Sequence, residues 1–293
     1  MEKPVVAPIL TPVKSKQKKL IEELLKAYSR CECVRLVNRG NAAIFCALAM
    51  VRSANKPGSE RNTILIPDQG GWISFETYPP LLGFDVVKVK TDRGIIDLAD
   101  LKNKSSSAAA FIVTSFAGYF AEQQIRDISA VCHGAGCLLI EDASGAIGDA
   151  VLCDGGYSDI IVASFGEHKP VDNGYGGFVA ANDKGLFASA SVAFSLTNFF
   201  EDYSVLLEKL KEVPARLDFF FAKQEQVKRD MKRLGVEVLH PRSRGLNVIV
   251  KPKDDEEKRK VSDYCEEQGL ETVACPKYIR VEEPAISIEI KRL

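Results

Sequence analysis

The sequence has little that marks a specialised surface. Its 39 Lys+Arg and 40 Asp+Glu leave a formal net charge of −1, so no overall electrostatic pull draws it to nucleic acid or an anionic membrane. No apolar run approaches the roughly 18 residues a membrane-spanning helix needs, and no Gly/Ser linker, internal repeat or low-complexity tract occurs. Histidine is scarce: His133, His168 and His240 are scattered, and Cys31-Glu32-Cys33 has no second pair at zinc-site spacing, which predicts no metal site. The eight cysteines do not read as a disulfide framework, because Cys46, Cys132 and Cys137 sit in apolar stretches, where a free thiol behaves as a small hydrophobe. Met1-Glu2-Lys3-Pro4 opens without a basic start and long apolar segment, so no signal peptide is expected and a cytoplasmic location fits best. What is present is ordinary: 293 residues, 46% apolar and 27% charged, enough for one large globular domain or a large and a small one.

The pattern along the chain is more informative. An amphipathic helix is expected over 16–29, with Leu20, Leu24, Leu25 and Tyr28 near one face. Short apolar runs follow at 33–38, 63–68, 85–91, 109–116, 137–143, 159–165 and 176–182, with helix-like stretches at 41–54, 97–102 and 122–134. Nearly continuous apolar strands between helices predict a mostly parallel sheet covered on both faces. The texture changes after about residue 184. A charged helical segment covers 201–234, then strands at 246–251 and 285–291 flank a helix at 255–268. The expected division is a large α/β domain over 1–200, with a helical segment in 1–30, and a small α+β domain over 201–293.

Ligands of such sheets bind beyond the carboxyl ends of the strands, and four segments lie there. Ser164-Phe165-Gly166-Glu167-His168-Lys169 ends a strand and leads to Asn173-Gly174-Tyr175-Gly176-Gly177; Lys169 is either a solvated loop residue or a Schiff-base lysine. Ile140-Glu141-Asp142-Ala143-Ser144-Gly145 delivers two acids to the crevice, to cap a helix or to hold a carboxylate against a pyridinium nitrogen. Arg39-Gly40-Asn41-Ala42-Ala43 joins a strand to a helix whose N-terminal amides can take an anion; it matches neither the P-loop nor the dinucleotide fingerprint. Pro67-Asp68-Gln69-Gly70-Gly71-Trp72 holds the only tryptophan, suited either to the core or to the face of a planar cofactor.

Taken together, these segments resemble the sugar aminotransferase family named for DegT, DnrJ and StrS, within the fold-type I pyridoxal phosphate enzymes. The likeness runs over about 34–183, with a fainter echo over 236–291. It implies a three-layer α/β/α large domain with a mostly parallel sheet and a small C-terminal α+β domain. Arg39 to Ala43 is similar to the family's phosphate-binding turn, implying phosphate contacts from Gly40, Asn41 and Ala42, and Ser164 adds another. Trp72 falls where the family's ring-stacking aromatic lies. Asp142 takes the place of the pyridine-nitrogen partner, and Lys169 that of the lysine forming the internal aldimine. The implied cofactor is pyridoxal 5′-phosphate, and the implied reaction moves an amino group from an amino-acid donor to a keto acceptor, by resemblance a nucleotide-linked keto-sugar. A homodimer with shared active sites is also implied.

Departures limit the likeness. The family's glutamine after the aspartate is Gly145, its Gly-Asp-Gly-Gly is Gly174-Tyr175-Gly176-Gly177, and its Gly-x-Asn-x-Arg segment has no counterpart. Pro79-Pro80 interrupts what should be a helix. The alternatives to transamination are another pyridoxal phosphate reaction of lyase, desulfurase or dehydratase type, and a non-catalytic regulatory relative. Arg242, Arg244 and Arg280 are candidates to pair with a donor carboxylate, or else surface residues. The aromatic clusters at 194–200 and 219–221 are read as core or as a dimer interface.

Overall fold

The computed structural model describes residues 12–55, 61–200 and 202–293; the reading of Met1 to Pro4 falls outside them. Seven strands form the main sheet: β1 (Cys33–Val37), β2 (Thr63–Pro67), β3 (Asp85–Val89), β4 (Ala108–Thr114), β5 (Leu138–Asp142), β6 (Ile160–Ser164) and β7 (Gly177–Ala181). Their spatial order is β1-β7-β6-β5-β4-β2-β3. Neighbours from β6 to β3 are parallel, whereas β7 runs antiparallel to both β1 and β6.

Each strand sends alternate side chains to opposite faces, and both faces are covered. Ile64, Ile66, Ala110, Ile112, Ile140, Ile160, Val162 and Val179 meet α2 (Gly40–Ala54) through Ala43, Ile44, Ala47, Leu48 and Val51. On the other face Leu65, Phe111, Val113, Leu139, Ile161, Ala163 and Phe178 form a core with α1 (Pro12–Ser29), α3 (Leu98–Ser105), α4 (Ile125–Ala135) and α5 (Tyr203–Arg233). The result is the three-layer arrangement, with strands apolar end to end because neither face meets water. On α1, Ile21, Leu25 and Ser29 are buried and Leu24 and Tyr28 pack against the core, while Leu20 is 42% exposed, so the inward face departs from the expected one at Leu20.

A second, four-stranded sheet follows: β8 (Glu237–Val238), β9 (Val248–Lys251), β10 (Thr272–Cys275) and β11 (Ala285–Ile288), in the order β8-β9-β11-β10 and antiparallel throughout, with α6 (Asp255–Glu267) between β9 and β10. Pro79-Pro80 stands in a short 3-10 turn, Pro79–Leu82, after a helical turn at Ser74–Thr77. The prolines therefore begin a turn and do not break a longer helix. Of the aromatic clusters, Phe194, Phe199 and Phe220 are buried, whereas Phe200 and Phe219 are 73% and 52% exposed. Among the described residues no helix is long and apolar enough to cross a membrane.

Candidate active site

The register of the main sheet gathers four chain segments at one edge. Asp142 pairs across to Thr114 and to Val162, Ser164 to Gly177, and Gly177 to Val37. The ends of β4, β5, β6 and β1 and the start of β7 thus open on the same side, where a parallel sheet holds its ligands. A cavity of about 260 Å³ lies there, lined by Gly40, Asn41, Trp72, Asp142, Ser164 and Lys169, with Arg39, Tyr119, Ser144 and Tyr175 among the others. Ala42 follows in the first turn of α2 without lining the cavity.

One end of the cavity is suited to an anion. Asp97, Asp202 and Asp254 cap the starts of α3, α5 and α6 with their side chains, but no side chain caps α2 at Arg39. Its first-turn amides are therefore open to a ligand and carry the positive end of the helix dipole. Gly40 lets the helix come this close: a Cβ there would lie 2.5 Å from Ser164 Cβ and 2.9 Å from its Oγ. The Ser164 hydroxyl accepts from the Gly166 N–H at 3.1 Å, leaving its own proton available to an anion.

Asp142 lies deeper, 8% exposed. Its Oδ1 accepts from the Ser144 N–H at 3.0 Å and the Ser144 hydroxyl at 2.5 Å. Burial pushes its carboxyl above the usual range, opposed by the two Ser144 hydrogen bonds and the charge of Lys169. Lys169, half-buried, reaches in between two aromatic rings, its Nζ 5.8 Å from the centre of Trp72 and 4.7 Å from that of Tyr119. The indole is oriented by its Nε1–H, which donates to Asn41 Oδ1 at 2.8 Å.

Tyr119 is not among the residues expected at the site. It follows β4 in the Ser115-to-Phe120 stretch, at a strand end and with φ 68; its position after a buried parallel strand is the signal that could have found it. Gly145, where the family has glutamine, explains how the ring fits: a Cβ there would come within 3.2 Å of the Tyr119 ring. An aromatic from another strand end occupies the space beside Gly145.

The three candidate arginines do not line the cavity. Arg244 is held by Glu122 at 2.6 Å and Asp149 at 2.9 Å. Arg280, 4% exposed, donates to Glu289 through Nε at 2.9 Å and Nη2 at 2.7 Å. Arg242 is exposed and borders a separate cleft with Phe221 and Gln224. Arg39, at the mouth of the cavity, is an exposed cation that sequence reasoning places only as part of the turn.

A mixed sheet in this order, with a lysine after one strand and a buried aspartate ending the next, is the fold of the fold-type I pyridoxal phosphate enzymes. The structure is similar to PseC of Helicobacter pylori, an aminotransferase in pseudaminic acid biosynthesis (TM-score 0.70, 18% identity, 93% of this chain and 85% of that one). It is similar also to a DegT/DnrJ/EryC1/StrS aminotransferase from Brucella abortus (0.68, 18%, 96% and 86%) and to NtdA from Bacillus subtilis with bound cofactor PMP (0.71, 14%, 93% and 72%). Residues 12–199 match the model of the DegT/DnrJ/EryC1/StrS aminotransferase family, and the chain belongs to that family. Residues 217–293 match a second model, the MJ1341 family C-terminal domain. A curated relative, the probable glycine dehydrogenase (decarboxylating) subunit 2 of Thermoplasma volcanium, is 30% identical over 163 residues, 54% of this chain; the chain spans 34% of that relative's length.

Proposed function

We propose that this protein is a pyridoxal phosphate-dependent aminotransferase, moving an amino group from an amino-acid donor to a keto acceptor at the cavity around Lys169. The observation that carries the proposal is the convergence of an uncapped helix start, a buried carboxylate and an amine flanked by two aromatic rings on one cavity. Gly40, Asn41 and Ser164 would hold the phosphate, Asp142 the pyridine nitrogen, Trp72 the ring face and Lys169 the reactive carbon. When bound, the cofactor supplies an electron sink that makes the donor's α-proton removable. Lys169 takes that proton and returns it, as general base and then acid. Trp72 and Tyr119 flank the amine, exclude water there and restrict its reach. As a carboxylate, the form favoured by its two Ser144 hydrogen bonds and the charge of Lys169, Asp142 would stabilise positive charge at the nitrogen opposite.

Family membership supports a nucleotide-linked keto-sugar as acceptor and a homodimer with shared active sites. Exposed Ile73, Leu81, Val192, Leu196 and Phe200 offer apolar surface for such a dimer. All eight cysteines are free thiols, which supports a reducing cytoplasm. The two sheets, with family matches ending at 199 and resuming at 217, support a division near residue 200.

The purified protein with pyridoxal phosphate should develop a visible absorption band that Lys169→Ala abolishes; an unchanged band in the variant would overturn the assignment of Lys169. Incubation with glutamate should then yield pyridoxamine phosphate and a keto acid. The Thermoplasma volcanium relative favours a second reading, decarboxylation of an amino acid. Carbon dioxide release from glycine, with no pyridoxamine phosphate from glutamate, would select it.

A further inference from the structure

A second lysine stands beside Lys169, and the proposed function leaves it without a task. Lys291 belongs to the 3-10 turn Ile290–Arg292 that follows β11, and is 5% exposed. Its Nζ donates to the carbonyl of His168, the residue directly before Lys169, at 3.3 Å. It also lies 5.0 Å from the centre of the Tyr119 ring, the ring that Lys169 faces at 4.7 Å. The Lys291 backbone is anchored in turn, its N–H donating to Leu246 O at 2.9 Å. His168 has φ 57, a left-handed conformation that non-glycine residues seldom adopt. A peptide in that conformation persists where its surroundings hold it.

The charges around Lys291 do not neutralise it. Glu289 is 3.8 Å away, but it already accepts two hydrogen bonds from Arg280 and one from Ser287 at 2.8 Å. Arg292, 3.7 Å from the same carboxylate, adds a further cation, and Lys169 faces it from the loop. Burial first, then the charge of Lys169, bring the Lys291 ammonium down to about 7. An incompletely paired buried lysine opposes folding, so stability alone is a poor reason for its presence.

We propose that Lys291 is a positioning residue for Lys169: by holding the His168 carbonyl it fixes the turn from which the Lys169 amine enters the cavity. The hold is stronger when Lys291 is charged, because an ammonium donates a stronger hydrogen bond than an amine. The proposal rests on the reading of Lys169 as the reacting amine.

The test uses the protein free of cofactor. Lys169 is labelled with acetic anhydride and its modification rate followed by peptide mass spectrometry, relative to exposed lysines, from about pH 6 to 9. The wild type should show an inflection near pH 7. Lys291→Met should remove it and change the low-pH rate roughly tenfold, the effect of one charge-assisted hydrogen bond. Pyridoxal phosphate binding, read from the visible band, should weaken by a similar factor. Lys291→Arg, charged throughout, should restore the low-pH rate without the inflection. A folded Lys291→Met with the wild-type rate and pH profile would overturn the proposal. Should it not fold, Lys291→Gln replaces it, and a wild-type inflection there would be equally fatal. A band that survives Lys169→Ala sinks the reading of Lys169 instead, whatever Lys291 does to the labelling.

Discussion

At Gly40 a single hydrogen atom separates an open anion site from a blocked one. Its missing Cβ would meet Ser164 Cβ at 2.5 Å, and Ser164 ends a buried strand and cannot retreat. Gly40→Ala should cost about 1–3 kcal/mol by overpacking and weaken pyridoxal phosphate binding roughly tenfold or more. Urea unfolding and titration of the visible band would measure the two effects. Gly134 is the control, since a Cβ there would meet nothing within 4 Å: Gly134→Ala should leave binding unchanged. Individual residues were unevenly legible. Lys169, Asp142 and Ser164 each follow an apolar run, so the strand pattern alone sends them to one edge. Tyr119 also follows such a run, but its use depends on Gly145 leaving room for the ring, a relation between positions that only folding brings together. Arg280 was read as a partner for a donor carboxylate or a surface residue, and Lys291 was not read at all, because what they do is set by Glu289 and the His168 carbonyl, which only folding brings near.

Among the elements, α5 contains an apparent error and its remedy. Pro214 lies inside this 31-residue helix, and a proline there has no N–H for the carbonyl four residues earlier. That carbonyl belongs to buried Leu210, and it accepts from the Tyr28 hydroxyl of α1 at 2.9 Å. The contact joins two helices far apart in sequence, and burial holds the pKa of the tyrosine hydroxyl above its ordinary value. Tyr28→Phe should therefore destabilise the protein by about 1–3 kcal/mol, the cost of leaving a buried acceptor unpaired. In a Pro214→Ala background the helix can supply that bond itself, and the same substitution should cost less in a double-mutant cycle. An equal cost in both backgrounds would remove the explanation. Helix and strand positions were legible because apolar spacing is local. The inward face of α1 departs from the expected one at Leu20 because Ile21 and Leu25 meet α5, a partner about 180 residues away.

Across the whole molecule, the second sheet reaches the site through Lys291, and this makes stability depend on pH. An unfolded lysine holds its proton to about pH 10.4, whereas folded Lys291 loses it at about 7. Between these values the unfolded chain binds more protons, so stability rises with pH through the window. The penalty is greatest below pH 7 and fades above it. Lys291→Met should remove this slope, gaining on the order of 3 kcal/mol at pH 6.5 relative to its gain or loss at pH 9.5; urea unfolding of wild type and variant at both values checks it. The same tie explains why a lysine near one sheet can govern a turn at the edge of another. The sequence by itself determined the three-layer sheet, its parallel run of strands and the place of Lys169, Asp142, Ser164 and Gly40 at their ends. Those follow from apolar periodicity and from glycine and charge set beside it, which are properties of neighbours along the chain. Only the tertiary structure decided which cation stays available to the site. Arg244 and Arg280 are bound to carboxylates, Tyr119 fills the space at Gly145, and Lys291 stands behind Lys169, because pairing of buried charge is settled by which side chains meet, and the meetings of Arg244 with Glu122 and of Lys291 with His168 span more than a hundred residues.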